Sequence, residues 1–160
     1  MSMQSPERTI KTTATEPTVV HRPSRLVTIV AILAFVVGGF SVLGGLGGAV
    51  YTFQQAATEN ITTPGDAAIA DTPVRGPLTM WAQADIITEH QLDTTEGQRF
   101  AEMDREDPAR ASWFNATTLT TALSLGIISY AFSAFAIAMG AMMILFGLVL
   151  LRLRHAAATA

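Results

Sequence analysis

LVTIVAILAFVVGGFSVLGGLGGAVYTF, residues Leu26 to Phe53, decides the fold. No charged residue occurs between Arg25 and Glu59. A hydrocarbon core about 30 Å thick needs roughly 20 helical residues to cross it, so this run is long enough for one span. Small residues recur within it at alternating steps of three and four: Ala31, Ala34, Gly38, Ser41, Gly45, Gly48 and Thr52. A step averaging about 3.5 keeps them on one seam of a helix. In lipid, small residues let two helix backbones approach closely, and packing rather than hydrophobicity drives the association.

A second uncharged run, LTTALSLGIISYAFSAFAIAMGAMMILFGLVLL, extends from Leu119 to Leu151. Its small residues are Ala122, Gly126, Ser129, Ser133, Ala136 and Gly140, then Met143 as the one exception, then Gly147. Two runs with two matching seams predict an all-α membrane protein. Its spans, 23–53 and 119–151, form a transmembrane helical hairpin whose seams face each other, with an oligomer or partner interface as the alternative use of the seams. Gly44 and Gly48 also have the spacing of close helix contacts, but glycine is common in membrane helices, so the longer seam is the stronger signal.

Composition agrees. The 160 residues are 49% hydrophobic and only 14% charged, and the mean hydropathy is +0.36, unlike an ordinary soluble domain. The first run far exceeds the roughly 7–15 apolar residues of a signal peptide and follows a polar tail, so a retained anchor is expected. The chain contains no cysteine, which excludes disulfides, thiolate metal sites and a cysteine nucleophile.

Orientation follows from charge. Arg22, Arg25, Arg152 and Arg154 flank the runs directly, and the positive-inside rule then places both termini in the cytoplasm of a cell-membrane protein. The connecting segment, 54–118, becomes an extracytoplasmic loop domain. It holds eleven acids against four arginines, a net charge of −7, which disfavours nucleic acid and favours basic partners.

Residues 1–22, rich in Thr, Ser, Pro and Glu, read as a disordered cytoplasmic tail, with 152–160 as a second cytoplasmic tail. In the loop, Pro64-Gly65, Thr72-Pro73 and Gly76-Pro77 are turn signals, with a short β-pair expected through Ile61-Thr62 and Pro73-Val74. Short helices are expected near 78–92, 98–105 and 108–118. The first has Met80, Ala84, Ile87 and Gln91 along one face. Asp107 before Pro108 can cap and open the last, which runs on into the second span. Trp81 and Trp113 suit either an interfacial anchor or a loop core.

Neither span core contains an ionisable side chain, so a transporter or pump is not indicated. Asp85, Glu89 and His90 offer a weak cation constellation, although exposed carboxylates at this spacing are ordinary on a solvated helix face. Asp104, Asp107, Arg105 and Arg110 read as solvated, partly paired charge. No catalytic constellation and no cofactor is expected.

The block Gly76-Pro-Leu-Thr-Met-Trp-Ala-Gln-Ala-Asp-Ile-Ile87 with His90, followed by Asp104-Arg-Glu-Asp-Pro-Ala-Arg110 and Asn115-Ala116, resembles a family of small actinobacterial membrane proteins. The resemblance covers roughly residues 25–150 and implies two spans and an outer loop. Many members are labelled aromatic ring-opening dioxygenases. Such an enzyme requires iron held by about three protein ligands, and His90 is the only histidine of the loop. The expectation is therefore a non-enzymatic structural or interaction component of the cell envelope. Its partners are the lipid bilayer and another membrane or envelope protein, or itself, with no evident small-molecule substrate. Candidate partner-binding residues are Trp81, Gln83, Asp85, His90, Asp104, Arg105, Asp107 and Arg110. An accessory subunit of a transport or respiratory complex is the alternative, and a metal-binding or enzymatic loop the second.

Overall fold

A computed structural model describes residues 25–159. The expected tail 1–22 and the helix start at Pro23 and Ser24 lie outside the described residues. Three helices follow in order: α1, Arg25–Thr58; α2, Pro77–Thr94; and α3, Ala109–Thr159. At 1.5 Å per residue, the 34 residues of α1 and the 51 of α3 extend about 50 and 75 Å. Both are long and apolar enough to cross a membrane.

α1 and α3 pack antiparallel along the two seams. A Cβ on Gly38 would lie 2.7 Å from the Gly140 carbonyl oxygen, and one on Gly140 would lie 2.6 Å from that of Gly38. One turn pair further along, a Cβ on Gly45 would lie 2.6 Å from the Ser133 carbonyl oxygen. At the other end Gly147 faces the Ala31 carbonyl oxygen at 3.2 Å. The contacts on α1 thus advance through Ala31, Gly38 and Gly45, always seven residues apart. Gly48 faces the Ser133 hydroxyl. Next, the Thr52 and Ser129 hydroxyls meet at 2.7 Å. Thr52 donates its own proton to the Gly48 carbonyl, so Ser129 donates to Thr52. Ser41 and Ala136 are half-buried along the same seam, and Ala34 is buried.

The rest of each long helix is left open. Only 17% of the most apolar window of α1 and 11% of that of α3 are buried. Phe40, Leu43, Phe132 and Phe135 are all more than half exposed. The core helix of a soluble protein would bury such side chains.

Between the long helices, residues 59–76 form a compact hairpin-like loop. Thr62 and Pro73 make an antiparallel bridge, and the Val74 amide donates to the Ile61 carbonyl at 2.9 Å. Thr63 is buried at its centre: its hydroxyl donates to the Thr72 carbonyl and accepts from the Thr72 amide. No β-strand occurs among the described residues.

α2 opens at Gly76-Pro77, with Pro at the first helical position, where a missing amide hydrogen costs nothing. The Thr79 hydroxyl accepts from the Gly76 amide at 3.2 Å. The helix ends at Thr94 with Thr95 as its C-cap, and Gly97 then takes φ +82°, returning its amide to the Leu92 carbonyl at 2.8 Å. The buried residues of α2 are Met80, Ala82, Ile86 and Gln91. Ala84 and Ile87, expected on that face, are only half-buried.

The helix expected over 98–105 is absent. That segment is a chain of turns, with Glu102 donating its amide to the Arg99 carbonyl and Asp107 its amide to the Asp104 carbonyl. The expected helix near 108–118 is the first part of α3 itself. Asp107 caps it, accepting from the Ala109 amide at 2.8 Å.

Candidate functional site

α1 and α2 each pack on α3 but not on each other. The gap between them is a cavity of about 460 Å³, within the roughly 300–1,000 Å³ range of ligand pockets. Three helix faces wall it. α1 contributes Thr52, Gln55 and Ala56, with Glu59 just past its last residue; α2 contributes Met80, Gln83 and Ile87. α3 contributes Leu119, Ala122, Leu123 and Gly126, and Ile61 and Val74 complete it. α2 and α3 each present residues from i to i+7, so the cavity is a slot about 10 Å long.

Gly126 belongs to the α3 seam, but its neighbour is not α1. A Cβ there would lie 2.7 Å from Met80 Sδ. The missing side chain is a notch that seats Met80 and docks α2 onto the hairpin. The Thr52–Ser129 contact lies just beyond, where the seam between α1 and α3 resumes. Two further links fix the loop to the hairpin. The Tyr130 hydroxyl donates to the Arg75 carbonyl at 2.6 Å, and the Arg75 guanidinium lies 5.9 Å from the centre of the Phe53 ring.

The slot is predominantly apolar, and one polar atom in its wall has no partner. Gln83 Oε1 is buried without a hydrogen bond. An unsatisfied buried acceptor costs roughly 1–3 kcal/mol. Glu59, exposed at the slot, is the only ionisable residue among those lining it. The lining therefore offers two side-chain amides, one hydroxyl and one carboxylate, and no basic group.

The far end of the loop is held by the start of α3. Trp113 is 6% exposed, and its indole nitrogen donates to the Gln98 carbonyl at 3.0 Å and the Thr95 hydroxyl at 3.3 Å. Three residues earlier, Arg110 donates to the Phe100 and Met103 carbonyls at 3.0 and 2.8 Å. Its guanidinium also stacks 3.9 Å from the Phe100 ring centre. Gln91 donates to the Ser112 hydroxyl at 2.8 Å, tying the end of α2 to α3.

These contacts redistribute the candidate residues. Arg110 serves backbone carbonyls rather than pairing with acids, because its fork can satisfy several acceptors at once. Asp107 is a helix cap, and Gln83 lines the slot. Trp113 is a loop-core residue, whereas Trp81 stays 52% exposed. Asp85, Asp104 and Arg105 are exposed.

His90 lies 2.7 Å from Asp66 through Nε2, across 24 residues of chain that no local spacing reveals. This hydrogen bond, helped by a backbone hydrogen bond, holds the Asp66 carboxyl below its ordinary value of 3.8. A depressed carboxylate stabilises the fold above its unfolded value and loses that contribution as pH falls through the folded one. Both partners are more than half exposed, so the contribution is small. An NMR titration of the Asp66 side chain is expected to give a midpoint below 3.8, moving up toward the ordinary value in His90→Ala.

The iron centre implied by the resemblance does not fit these residues. His90 faces Asp66, and among the described residues no three His, Cys, Asp or Glu side chains group closely enough to hold a metal ion. No protein-family model, curated protein or solved structure matches the chain.

Proposed function

We propose that the chain is a two-span membrane protein that holds a rigid acidic loop domain outside the cell membrane for another envelope or membrane protein to bind. One observation carries this reading: α2 is docked into the Gly126 notch while Leu78 and Trp81, at its start, stay 71% and 52% exposed. A large apolar residue on a preordered helix provides contact area without an ordering cost at the moment of binding. The open apolar faces of α1 and α3 support embedding in lipid, and the arginines flanking the hairpin support cytoplasmic termini. Exposed Asp85 beside Trp81 favours a partner with a basic surface.

Photo-cross-linking tests the proposal in native membranes. A cross-linker at Trp81 is expected to capture a discrete partner, and Asp85→Arg to abolish that product. Failure to capture any partner, together with a monomeric purified protein, would remove the basis of the reading. Orientation has its own measurement. Cysteine at Thr94 is expected to label from outside intact cells and cysteine at Thr13 to remain unlabelled; the reverse pattern overturns the topology.

A further inference from the structure

We infer that the slot between α1, α2 and α3 is a binding site for one aminolipid, with a hydrocarbon chain in the slot and an ammonium headgroup toward Gln83 and Glu59. The inference rests on the membrane reading above but not on any protein partner. Four observations carry it.

The slot is elongated, about 10 Å along α2 and α3, which suits a chain better than a compact ring system. Its volume of about 460 Å³ is mostly bounded by Ala56, Ile87, Leu119, Leu123 and similar side chains. An apolar cavity gains little from water, which needs two to four polar partners to be held. Its place in the fold is the second observation. It lies where the apolar runs end, beside Thr52 on α1 and Leu119 to Gly126 on α3. A lipid whose chain enters there keeps its headgroup level with the loop domain.

The third observation is Gln83 Oε1, an acceptor buried in the lining without a donor. A ligand headgroup that donates a hydrogen bond satisfies it. The fourth is charge. Glu59 is the only ionisable residue of the lining, and the loop around it carries a net −7. A phosphate or carboxylate at the same place would meet the Glu59 carboxylate and no basic group. An ammonium group has three donors and no acceptor, which matches both residues.

The test uses the full chain, purified in mild detergent and stripped of lipid. Native mass spectrometry follows titration with phosphatidylethanolamine or with phosphatidylglycerol of the same chains. One phosphatidylethanolamine per protomer is expected, retained about tenfold more tightly than phosphatidylglycerol. Gln83→Leu preserves the apolar bulk and removes the acceptor, so the preference is expected to fall to about twofold. Ala56→Phe fills the slot and is expected to abolish retention of both lipids, with Ile87→Phe as a second filling variant should the first fail to fold.

Equal retention of the two lipids by the unmodified protein would overturn the headgroup assignment. Retention that survives both filling variants would show annular lipid and overturn the site. Failure of the membrane reading is read separately. Release of the chain from membranes by alkaline carbonate defeats both inferences, whereas a carbonate-resistant protein that retains no phosphatidylethanolamine defeats only this one.

Discussion

Gly45→Leu is expected to open the hairpin. A Cβ at this position lies 2.6 Å from the Ser133 carbonyl oxygen and 2.8 Å from Ile137 Cγ1. The first of these is backbone, which cannot rotate away, so the helices must separate along a seam that depends on close approach. Overpacking of this kind costs roughly 1–3 kcal/mol, occasionally more, and a leucine against main chain belongs at the upper end. Gly44→Leu is the matched control. Nothing lies within 4 Å of a Cβ there, and leucine exceeds glycine in helix propensity by up to about 1 kcal/mol. Reversible unfolding in mixed micelles of increasing denaturing-detergent content is expected to show a large loss for Gly45→Leu and none for its neighbour. Equal behaviour of the two variants would mean that this seam does not hold the hairpin.

That contrast also shows what could be read from residue order. Leu and Val lie mostly on the open faces of α1 and α3 and none is buried, so a search for the most hydrophobic face would pick the side that does not pack. Side-chain size picks the side that does. The three-and-four recurrence located Gly38, Gly45, Gly140 and Gly147, all of which the structure places against the opposite backbone. The shorter glycine spacing was less informative, since Gly44 faces open space while Gly48 faces Ser133. Gly126 was legible as small but not as a notch for α2, because its partner Met80 comes from a separate helix. The slot beside it has no linear signature at all. It arises because α1 and α2 both lean on α3 without meeting.

In the loop, turn residues were reliable guides, and the helix expectations held for α2 and the start of α3 but not for 98–105. Pro64-Gly65 lies inside the loop that the Thr62–Pro73 bridge closes and Thr72-Pro73 ends it, since proline and glycine favour turns locally. Residues 98–105 contain ordinary helix formers, yet the segment folds into turns. An α-helix there would offer the Phe100 carbonyl to Asp104 and the Met103 carbonyl to Asp107. Arg110 takes both carbonyls instead. A tertiary contact from outside the segment overrides its local preference. The same limit explains His90, whose partner Asp66 is distant in sequence while Asp85 and Glu89 are merely near.

Trp113→Ala is expected to unfold residues 95–107 while leaving the hairpin intact. Trp113 is 6% exposed, and replacing a buried tryptophan by alanine costs roughly 3–5 kcal/mol. The loss also strips the Gln98 carbonyl of its indole donor. Trp113 and Arg110 lie three residues apart and therefore share one face at the start of α3. Together they hold the carbonyls of Gln98, Phe100 and Met103, which otherwise have no regular secondary structure to satisfy them. Trp113→Phe retains most of the burial and loses only the donated hydrogen bonds, so about 1 kcal/mol is expected. Amide hydrogen exchange separates these cases. Trp113→Ala should abolish protection from Thr95 to Asp107 and preserve it across Ala31–Gly48 and Ser133–Gly147. Concerted loss in both regions would mean that loop and hairpin form one cooperative unit. Selective loss would make the turn segment a local unit fastened by two side chains of α3, with α2 held independently through Met80 and Gly126. In that case the lipid slot survives Trp113→Ala, because none of its lining residues belongs to the turn segment.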